Sequence, residues 1–373
     1  MKIRILDTYN KKDVARFIQL PFDLYHDNPN WIPLLVNDMR FNMDRDRHPT
    51  YRHADVDFLI AESEGQTLGR LAVIHNRHHS EMTHRQCGFF YYFDAVNDKQ
   101  VSGALFQTAC DWAVKRGLTE ITGPRGLLRF DGTGLLVKGF EYPAAAGMAY
   151  NDPYYDELVI DAGFVKLTDH FSGFMPSDYT LPDEMKRFAE KVKAKTCYSV
   201  KTFSSKEELR KWIKPLGDVF NSSFALGRDF YPVTEEEFAL TASRLLSIVR
   251  PELIKFILYG DQMVGFILAY PDVADALRQT KGRLLPFGWI TLMQAPRKSK
   301  RLLLNGYGLL PEHQGRGATA LMYMEMYQSG KPMGFESAES LQVDEGNYRS
   351  WAEHEHLKIV FHKAHRSYIK YLS

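Results

Sequence analysis

The sequence predicts an α/β protein made of one unit written twice, each copy strands and flanking helices. Three observations carry this. Strand, helix and hairpin signals of the first half recur in the second at an offset of about 195 residues. The offset widens to about 214 and then returns to about 195, as two compensating insertions require. A chain of 373 residues, 45% hydrophobic and 25% charged, has apolar material for two cores and is neither disordered nor low-complexity.

In order, residues 3–7 alternate as a strand, and 10–24 form a helix with Val14, Phe17 and Ile18 on its apolar face, ending near Trp31-Ile32-Pro33. Residues 198–203 are the matching strand. Ser205 then caps a helix carrying Trp212, Val219 and Phe220, with Glu208 three residues on in capping-box fashion, ending near Phe230-Tyr231-Pro232. Residues 57–74 are two strands about a Glu64-Gly65 turn, with Gly69 early in the second. Residues 255–270 repeat this about Gly260-Asp261, with Gly265 in the matching place. Apolar strands 88–96 and 302–310 lead into helices 100–116 and 316–329. Residues 272–300 are inserted before the second of these strands. An insertion at 123–149 in the first half restores the register, so that Ala162-Gly163-Phe164 matches Leu357-Lys358-Ile359. The boundaries are a first domain over 1–176, a Lys/Glu-rich connector over 177–198, helical across 183–194, and a second domain over 199–373.

Lys+Arg 47 against Asp+Glu 46 leaves a net charge of +1, without the basic excess of a nucleic-acid binder, so no nucleic-acid partner is expected. Cys87, Cys110 and Cys197 are odd in number and far apart, giving neither a disulfide framework nor a cysteine zinc site. Residues 1–10 have no apolar leader and no stretch reaches span length. The expectation is a cytoplasmic protein, at most peripheral to the inner membrane face.

The chemistry concentrates in 307–330, where an apolar strand enters a short Gly-rich turn that opens a helix. Such a turn presents unpaired backbone N–H groups at the positive end of a helix dipole, a site for a pyrophosphate. Gly315 and Gly317 clear the approach and Arg316 adds a guanidinium. The turn is not a Walker A loop, because Ala318 follows Gly317. It is not a Rossmann fingerprint, because Pro311 stands where a third glycine belongs after Gly306 and Gly308.

Gln314-Gly315-Arg316-Gly317-Ala318-Thr319 resembles the acyl-CoA pyrophosphate loop of the GCN5-related N-acetyltransferase (GNAT) superfamily, Q/R-x-x-G-x-G/A, with Thr319 where Gly or Ala is usual. Residues 341–359 resemble the same family's following strand and helix. Asn347 falls on the Asn that contacts the pantetheine arm or the cleft, Ser350 on the small residue, and His354 on the Tyr that protonates the departing thiolate. Lys358-Ile359 stands in place of Gly-Phe. The resemblance implies two tandem GNAT-like domains, each a mixed, mostly antiparallel sheet flanked by helices, with acetyl-CoA or a longer acyl-CoA as co-substrate and an amine as acceptor. It further implies that a backbone N–H between Tyr307 and Leu310, with Leu309 and Leu310 in the binding set, polarises the thioester carbonyl. The first half, with Phe93-Asp94-Ala95-Val96-Asn97-Asp98-Lys99-Gln100 at the corresponding turn, is expected to be a non-binding copy that shapes the cleft.

His354 is the candidate proton donor to the thiolate, the competing reading being an exposed helix histidine. Glu339 is expected on the same face as Leu341 and Val343, looking into the cleft as base or amine anchor, with Glu336 facing the other way. His75, His78, His79 and His84 read as a polar strand connection, and no metal site is expected. Arg125, Arg129 and Asp131 of the 123–149 insertion are candidates for the acceptor entrance.

In the 272–300 insertion Leu284, Leu285, Phe287, Trp289, Ile290, Leu292 and Met293 precede Arg297, Lys298, Lys300 and Arg301. This is the composition of a segment resting on an anionic membrane, or of a covering helix with a solvated basic end. The whole pattern also resembles the GNAT-like bacterial ceramide synthases, which implies a fatty acyl donor and a lipid or long-chain-base acceptor. A non-catalytic acyl-CoA sensor or scaffold and an aminoacyl-tRNA-dependent transferase are the alternative functions.

Overall fold

Both halves contribute to one thirteen-stranded sheet. The computed structural model describes residues 1–225, 227 and 229–372. The first-half strands are β1 (Lys2–Ile5), β2 (Ala54–Ser63), β3 (Gln66–Asn76), β4 (Cys87–Ala95), β5 (Glu120–Gly123), β6 (Leu135–Lys138) and β7 (Val165–Pro176). Those of the second are β8 (Tyr198–Lys201), β9 (Ile254–Tyr259), β10 (Gln262–Pro271), β11 (Arg301–Leu309), β12 (Ser337–Asp344) and β13 (Val360–Tyr371). The helices are α1 (Lys11–Leu24), α2 (Val36–Asn42), α3 (Arg77–Thr83), α4 (Lys99–Val114), α5 (Tyr155–Asp161), α6 (Asp183–Lys195), α7 (Lys206–Arg210) and α8 (Ile213–Phe224), then α9 (Glu235–Ile248), α10 (Ala274–Gln279), α11 (Gly288–Lys298), α12 (Ala318–Gly330) and α13 (Tyr348–His356). The mixed, mostly antiparallel fold class read from the sequence is the one observed.

The strand order is β1-β2-β3-β4-β5-β13-β7-β12-β11-β10-β9-β8, with β6 beside β13. The closing strands of the two halves are exchanged. β13, last in the chain, pairs with β5 of the first half, and β7 pairs with β12 of the second. The two run antiparallel to each other from Val360↔Phe174 to Ile369↔Val165, so the seam between the halves is itself a hydrogen-bonded ladder. Among the described residues only β4–β5 and β11–β12 are parallel pairs, one in each half.

Local chemistry explains most elements. The β2–β3 turn has Glu64 and Gly65 at φ of +50° and +81°, the primed geometry that matches strand twist. Ser205 accepts from Glu208 N at 3.1 Å, as its sequence position predicts. The helix it opens is nevertheless short, and a second one, α8, starts at Ile213. Pro215 has no N–H to bond the Lys211 carbonyl, which ends one helix and suits the first turn of the next. The histidine cluster lies on α3 and its flanks rather than on a simple strand connection. Asn76 caps this helix at His79 N, and the His79 ring packs edge-on against Phe89 and Tyr231. The connector helix α6 lies along α12, with Lys193 Nζ 3.0 Å from Glu325.

Candidate active site

The site starts where the β11–β12 ladder stops. Parallel pairing runs from Arg301↔Ser337 to Leu304↔Ser340 and ends. On its other side, β11 slips against β10 from Ala269↔Leu304 to Ile267↔Tyr307, so Asn305 and Gly306 bulge out of register with both neighbours. Gly306 takes φ +85°, and a Cβ there would meet no atom within 4 Å. The ladder is thus broken at Asn305 and Gly306, at the mouth of a wedge, as bulges beside active sites commonly arrange. The wedge opens into a mainly apolar cavity of about 540 Å³, within the usual range for small-molecule sites.

The first half makes the same bulge and fills it. Its register slips between Arg70↔Asp94 and Ala72↔Tyr91, and Tyr92 adopts φ +51° at the position offset by 214 from Gly306. Tyr92 and Phe93 are buried, and the Arg70 guanidinium pairs with Asp94 at 2.7 Å inside the wedge. A space of about 100 Å³ remains there. Only Val96 to Asp98 separate β4 from α4, whereas Leu310 to Gly317 intervene before α12.

That longer connection holds the glycine motif. Pro311–His313 form a 3-10 turn, anchored by a 2.8 Å hydrogen bond between His313 Nδ1 and the Tyr198 hydroxyl. Gln314 donates to Leu309 O at 3.1 Å and accepts from Arg349. The N–H groups of Gly315, Arg316, Gly317, Ala318 and Thr319 have no acceptor among the described residues, the next engaged donor being Ala320 N on Gly317 O. Gly315 (φ +73°) is open, and Arg316 is exposed. Gly317 (φ +88°) is sealed beneath the connector, since a Cβ there would lie 2.5 Å from Val192. Leu309 and Leu310 are buried and do not line the cavity. Leu309 is in register with Gly265, and Leu310 N is bonded to Val264 O at 2.9 Å. The register break that borders the cavity lies earlier on the strand, at Asn305 and Gly306.

Asn347 accepts from Ser350 N at 3.2 Å as the N-cap of α13 and borders the cavity. Two turns on, His354 is 6% exposed and stacks on Phe361, so it is not a surface histidine. Its Nδ1 donates to Ser350 O and its Nε2 accepts from the Ser340 hydroxyl, each at 2.7 Å. Burial pushes its pKa below the ordinary histidine value, favouring the neutral ring. At rest the neutral ring carries its proton on Nδ1, toward the Ser350 carbonyl, and its bare Nε2 faces Ser340.

Glu339 does not reach the cavity. It is 1% exposed on the other side of β12, paired with Lys363 Nζ at 2.7 Å and with Arg301 at 3.6 Å. The expected shared face fails because β12 slips against β7 between Ser340 and Val343, with Gln342 at φ +40°. Beyond that slip Leu341 through Asp344 all border the cavity, which simple alternation forbids. Glu336 is an exposed partner of Lys300.

Of the 123–149 candidates, Arg129 and Asp131 line the cavity. Burial pushes the Asp131 carboxyl up to about 6, and its acceptor bond from Leu128 N at 3.0 Å offsets only part of this. No cationic nitrogen lies within 4 Å of it among the described residues. His170 of the exchanged strand β7 stands on the same wall, with Nε2 3.2 Å from Ser367 Oγ. Sequence reasoning missed Tyr307 and Tyr323, whose hydroxyls meet on Glu353 beside the cavity. Nothing in their spacing signals this meeting. The opening of the second wedge was signalled, by Gly306 standing where the other half has Tyr92.

No protein-family model matches the chain. Protein YghO of Escherichia coli is 30% identical over 293 residues, covering 76% of this chain and 72% of that one. The bacterial ceramide synthase of Caulobacter vibrioides is 26% identical over 377 residues, 99% and 98% of the two chains. Among solved structures, a tandem GNAT protein of the clavulanic acid biosynthesis pathway superposes with TM-score 0.59 at 12% identity, covering 100% of this chain and 98% of that one. A GCN5-related N-acetyltransferase from Sphaerobacter thermophilus gives TM-score 0.50 at 14% identity, covering 100% and 95%.

Proposed function

From the premise that the chain has the tandem GNAT fold and belongs to the family of the Escherichia coli protein YghO, we propose that it is an acyl-CoA-dependent N-acyltransferase acting on an amine with a long apolar body, a lipid or long-chain base. The observation that carries this reading is one run of backbone. The register break at Asn305 and Gly306 borders an apolar cavity, and five N–H groups without an acceptor among the described residues, Gly315 to Thr319, lie at the helix end of the same strand-to-helix connection. In this reading residues 199–373 hold the acyl-CoA, and residues 1–176, their own wedge filled, supply the opposite wall.

The Gly315–Thr319 donors and the Arg316 guanidinium suit a diphosphate. The backbone N–H groups at the Asn305–Gly306 break suit a thioester carbonyl oxygen as it gains charge during attack. Amide formation joins the amine nitrogen to the carbonyl carbon and breaks the carbon–sulfur bond, so one proton must leave nitrogen and one must reach sulfur. His354 Nε2, directly or through the Ser340 hydroxyl, takes the first proton. Because its burial disfavours the imidazolium, it readily passes that proton to the thiolate. Asp131 supplies negative charge for the incoming ammonium, which gives one proton to solvent before attack so that the neutral amine is the nucleophile. The similarity to a bacterial ceramide synthase and the apolar lining by Phe220, Phe224 and Met326 support a long chain, each buried methylene adding about 0.8 kcal/mol.

Titration calorimetry with acetyl-, decanoyl- and palmitoyl-CoA, followed by free-thiol release over an amine panel that includes a long-chain base, tests this. Affinity is expected to rise with chain length, and thiol release to require the long-chain amine. Absence of acyl-CoA binding overturns the reading. Binding without thiol release on any amine replaces it with an acyl-CoA sensor.

A further inference from the structure

Helix α11 and the loop before it carry apolar side chains that the fold leaves outside. Leu285 is 81% exposed, Phe287 72%, Met293 67% and Trp289 49%. Trp289, Met293 and Arg297 follow at i, i+4 and i+8, forming one outward row on the helix. The opposite row, Leu292, Ala295 and Pro296, turns inward, with Leu292 and Ala295 in a small core shared with Ile32, Val273 and Leu277. The segment is braced: Gly282 O accepts from Val36 N at 2.9 Å, and Arg278 donates to Pro29 O at 2.8 Å. The apolar side chains are thus held out by a rigid support, in contrast to a loosely packed covering helix.

Charge identifies the surface they meet. Residues 278–301 contain seven Lys and Arg and no Asp or Glu, in a chain whose net charge is only +1. Arg283, Arg297 and Lys298 are exposed, with no carboxylate within 4 Å among the described residues. Docking this patch onto a second copy of the chain would set like charges against each other, whereas an anionic bilayer satisfies both the cations and the apolar row.

We propose that α11 and its preceding loop form a docking surface for an anionic lipid membrane, with Leu285, Phe287, Trp289 and Met293 inserted at the acyl boundary and Arg283, Arg297 and Lys298 on the headgroups. This is peripheral binding: among the described residues no helix is long and apolar enough to cross a membrane. Vesicle binding needs neither acyl-CoA nor acceptor, so its outcome is separate from that of the transferase reading.

The test is sedimentation of the full chain with vesicles of phosphatidylcholine alone or with one third phosphatidylglycerol, at low and physiological salt. Binding is expected with phosphatidylglycerol, weakened by salt. Phe287→Ser with Met293→Ser should reduce it at least tenfold. Arg297→Gln with Lys298→Gln should reduce it by about twenty-five-fold on anionic vesicles and hardly at all on neutral ones, about fivefold per cation. Each variant is to keep its circular dichroism and melting temperature. A blue shift of tryptophan emission on vesicles should vanish in Trp289→Phe, which keeps the surface apolar. Failure of the wild type to bind anionic vesicles at low salt overturns the proposal, as does equal binding by the variants. So does a solution dimer that Phe287→Ser with Met293→Ser dissociates, which would make the patch an interface between copies.

Discussion

The Nε2 atom of His354 lies 2.7 Å from the hydroxyl oxygen of Ser340, and its Nδ1 lies 2.7 Å from the Ser350 carbonyl oxygen. A carbonyl can only accept, so the ring proton sits on Nδ1 and the bare nitrogen faces the serine at the cavity wall. The pair is built from two elements: Ser340 is the last β12 residue paired with β11, and His354 lies in the last turn of α13. Packing against Phe361 fixes the ring plane.

His354→Ala is therefore expected to lower turnover by about a hundredfold while leaving acyl-CoA affinity nearly unchanged. Because burial lowers the folded-state pKa below 6.5, the base is free across the neutral range, and the rate should decline only as pH falls below that ordinary value. The same shift stabilises the fold above pH 6.5 and is lost as pH drops through the lowered pKa, so His354→Gln should soften acid unfolding. A pH–rate profile identical to wild type in His354→Gln would return the residue to a purely structural role.

The two loop glycines should behave differently. Gly315 has open space around it, so Gly315→Val costs backbone strain of about 1–2 kcal/mol at its positive φ and blocks approach of an anion. Acyl-CoA affinity should disappear with the fold retained. Gly317→Val drives its side chain into Val192 and Phe188 of α6, so it should also lower the melting temperature by separating α6 from α12. Calorimetric binding and thermal melts on both variants separate the effects. Unchanged affinity in Gly315→Val would remove the diphosphate role of the loop.

Asp131 couples acceptor recognition to stability. Its carboxyl is pushed up to about 6, so the anion that suits an ammonium dominates above that pH, and acceptor KM should rise as pH falls below it. An acid with a raised folded pKa is stabilised when protonated and loses that stability as pH rises through 6. Asp131→Asn should accordingly raise the neutral-pH melting temperature, raise the amine KM at least tenfold and leave acyl-CoA binding alone. A variant that loses stability at neutral pH, or keeps its amine KM, contradicts the assignment.

What the sequence made legible is local. The Gln314–Thr319 turn could be read because strand, glycines and helix start are adjacent, and Asn347 because it falls on a matching position of the contiguous 341–359 stretch. Glu339 could not be aimed, because the bulge that breaks its alternation is held from the other half, where the Gln342 side-chain amide bonds Thr133 N and O. Asp131, His170, Tyr307 and Glu353 come from four separate segments, and only the folded sheet collects them. The filling of the first wedge was legible in part, since carboxylates and no glycine stand in that turn.

Strand exchange is the feature no local pattern encodes, because β7 and β13 alternate equally well beside either half. It predicts how the chain can be divided. A fragment of residues 1–176 keeps β7 but loses β13, the only partner of β5 besides β4. A fragment of residues 199–373 keeps β13 but loses β7, which pairs with β12 along one edge and with β13 along the other. Each fragment exposes an unpaired central strand, a template for aggregation rather than an edge evolved for water. Buried Tyr368 of β13, part of the first-half core, would be lost from the first fragment as well. Each fragment produced alone is expected to be insoluble or to lack a cooperative melt. Extending 199–373 back to residue 165 restores β7 and should recover a soluble, cooperatively melting second unit. Two independently folding fragments, cut at 176 and 199, would show that the exchanged ladder contributes little to either half.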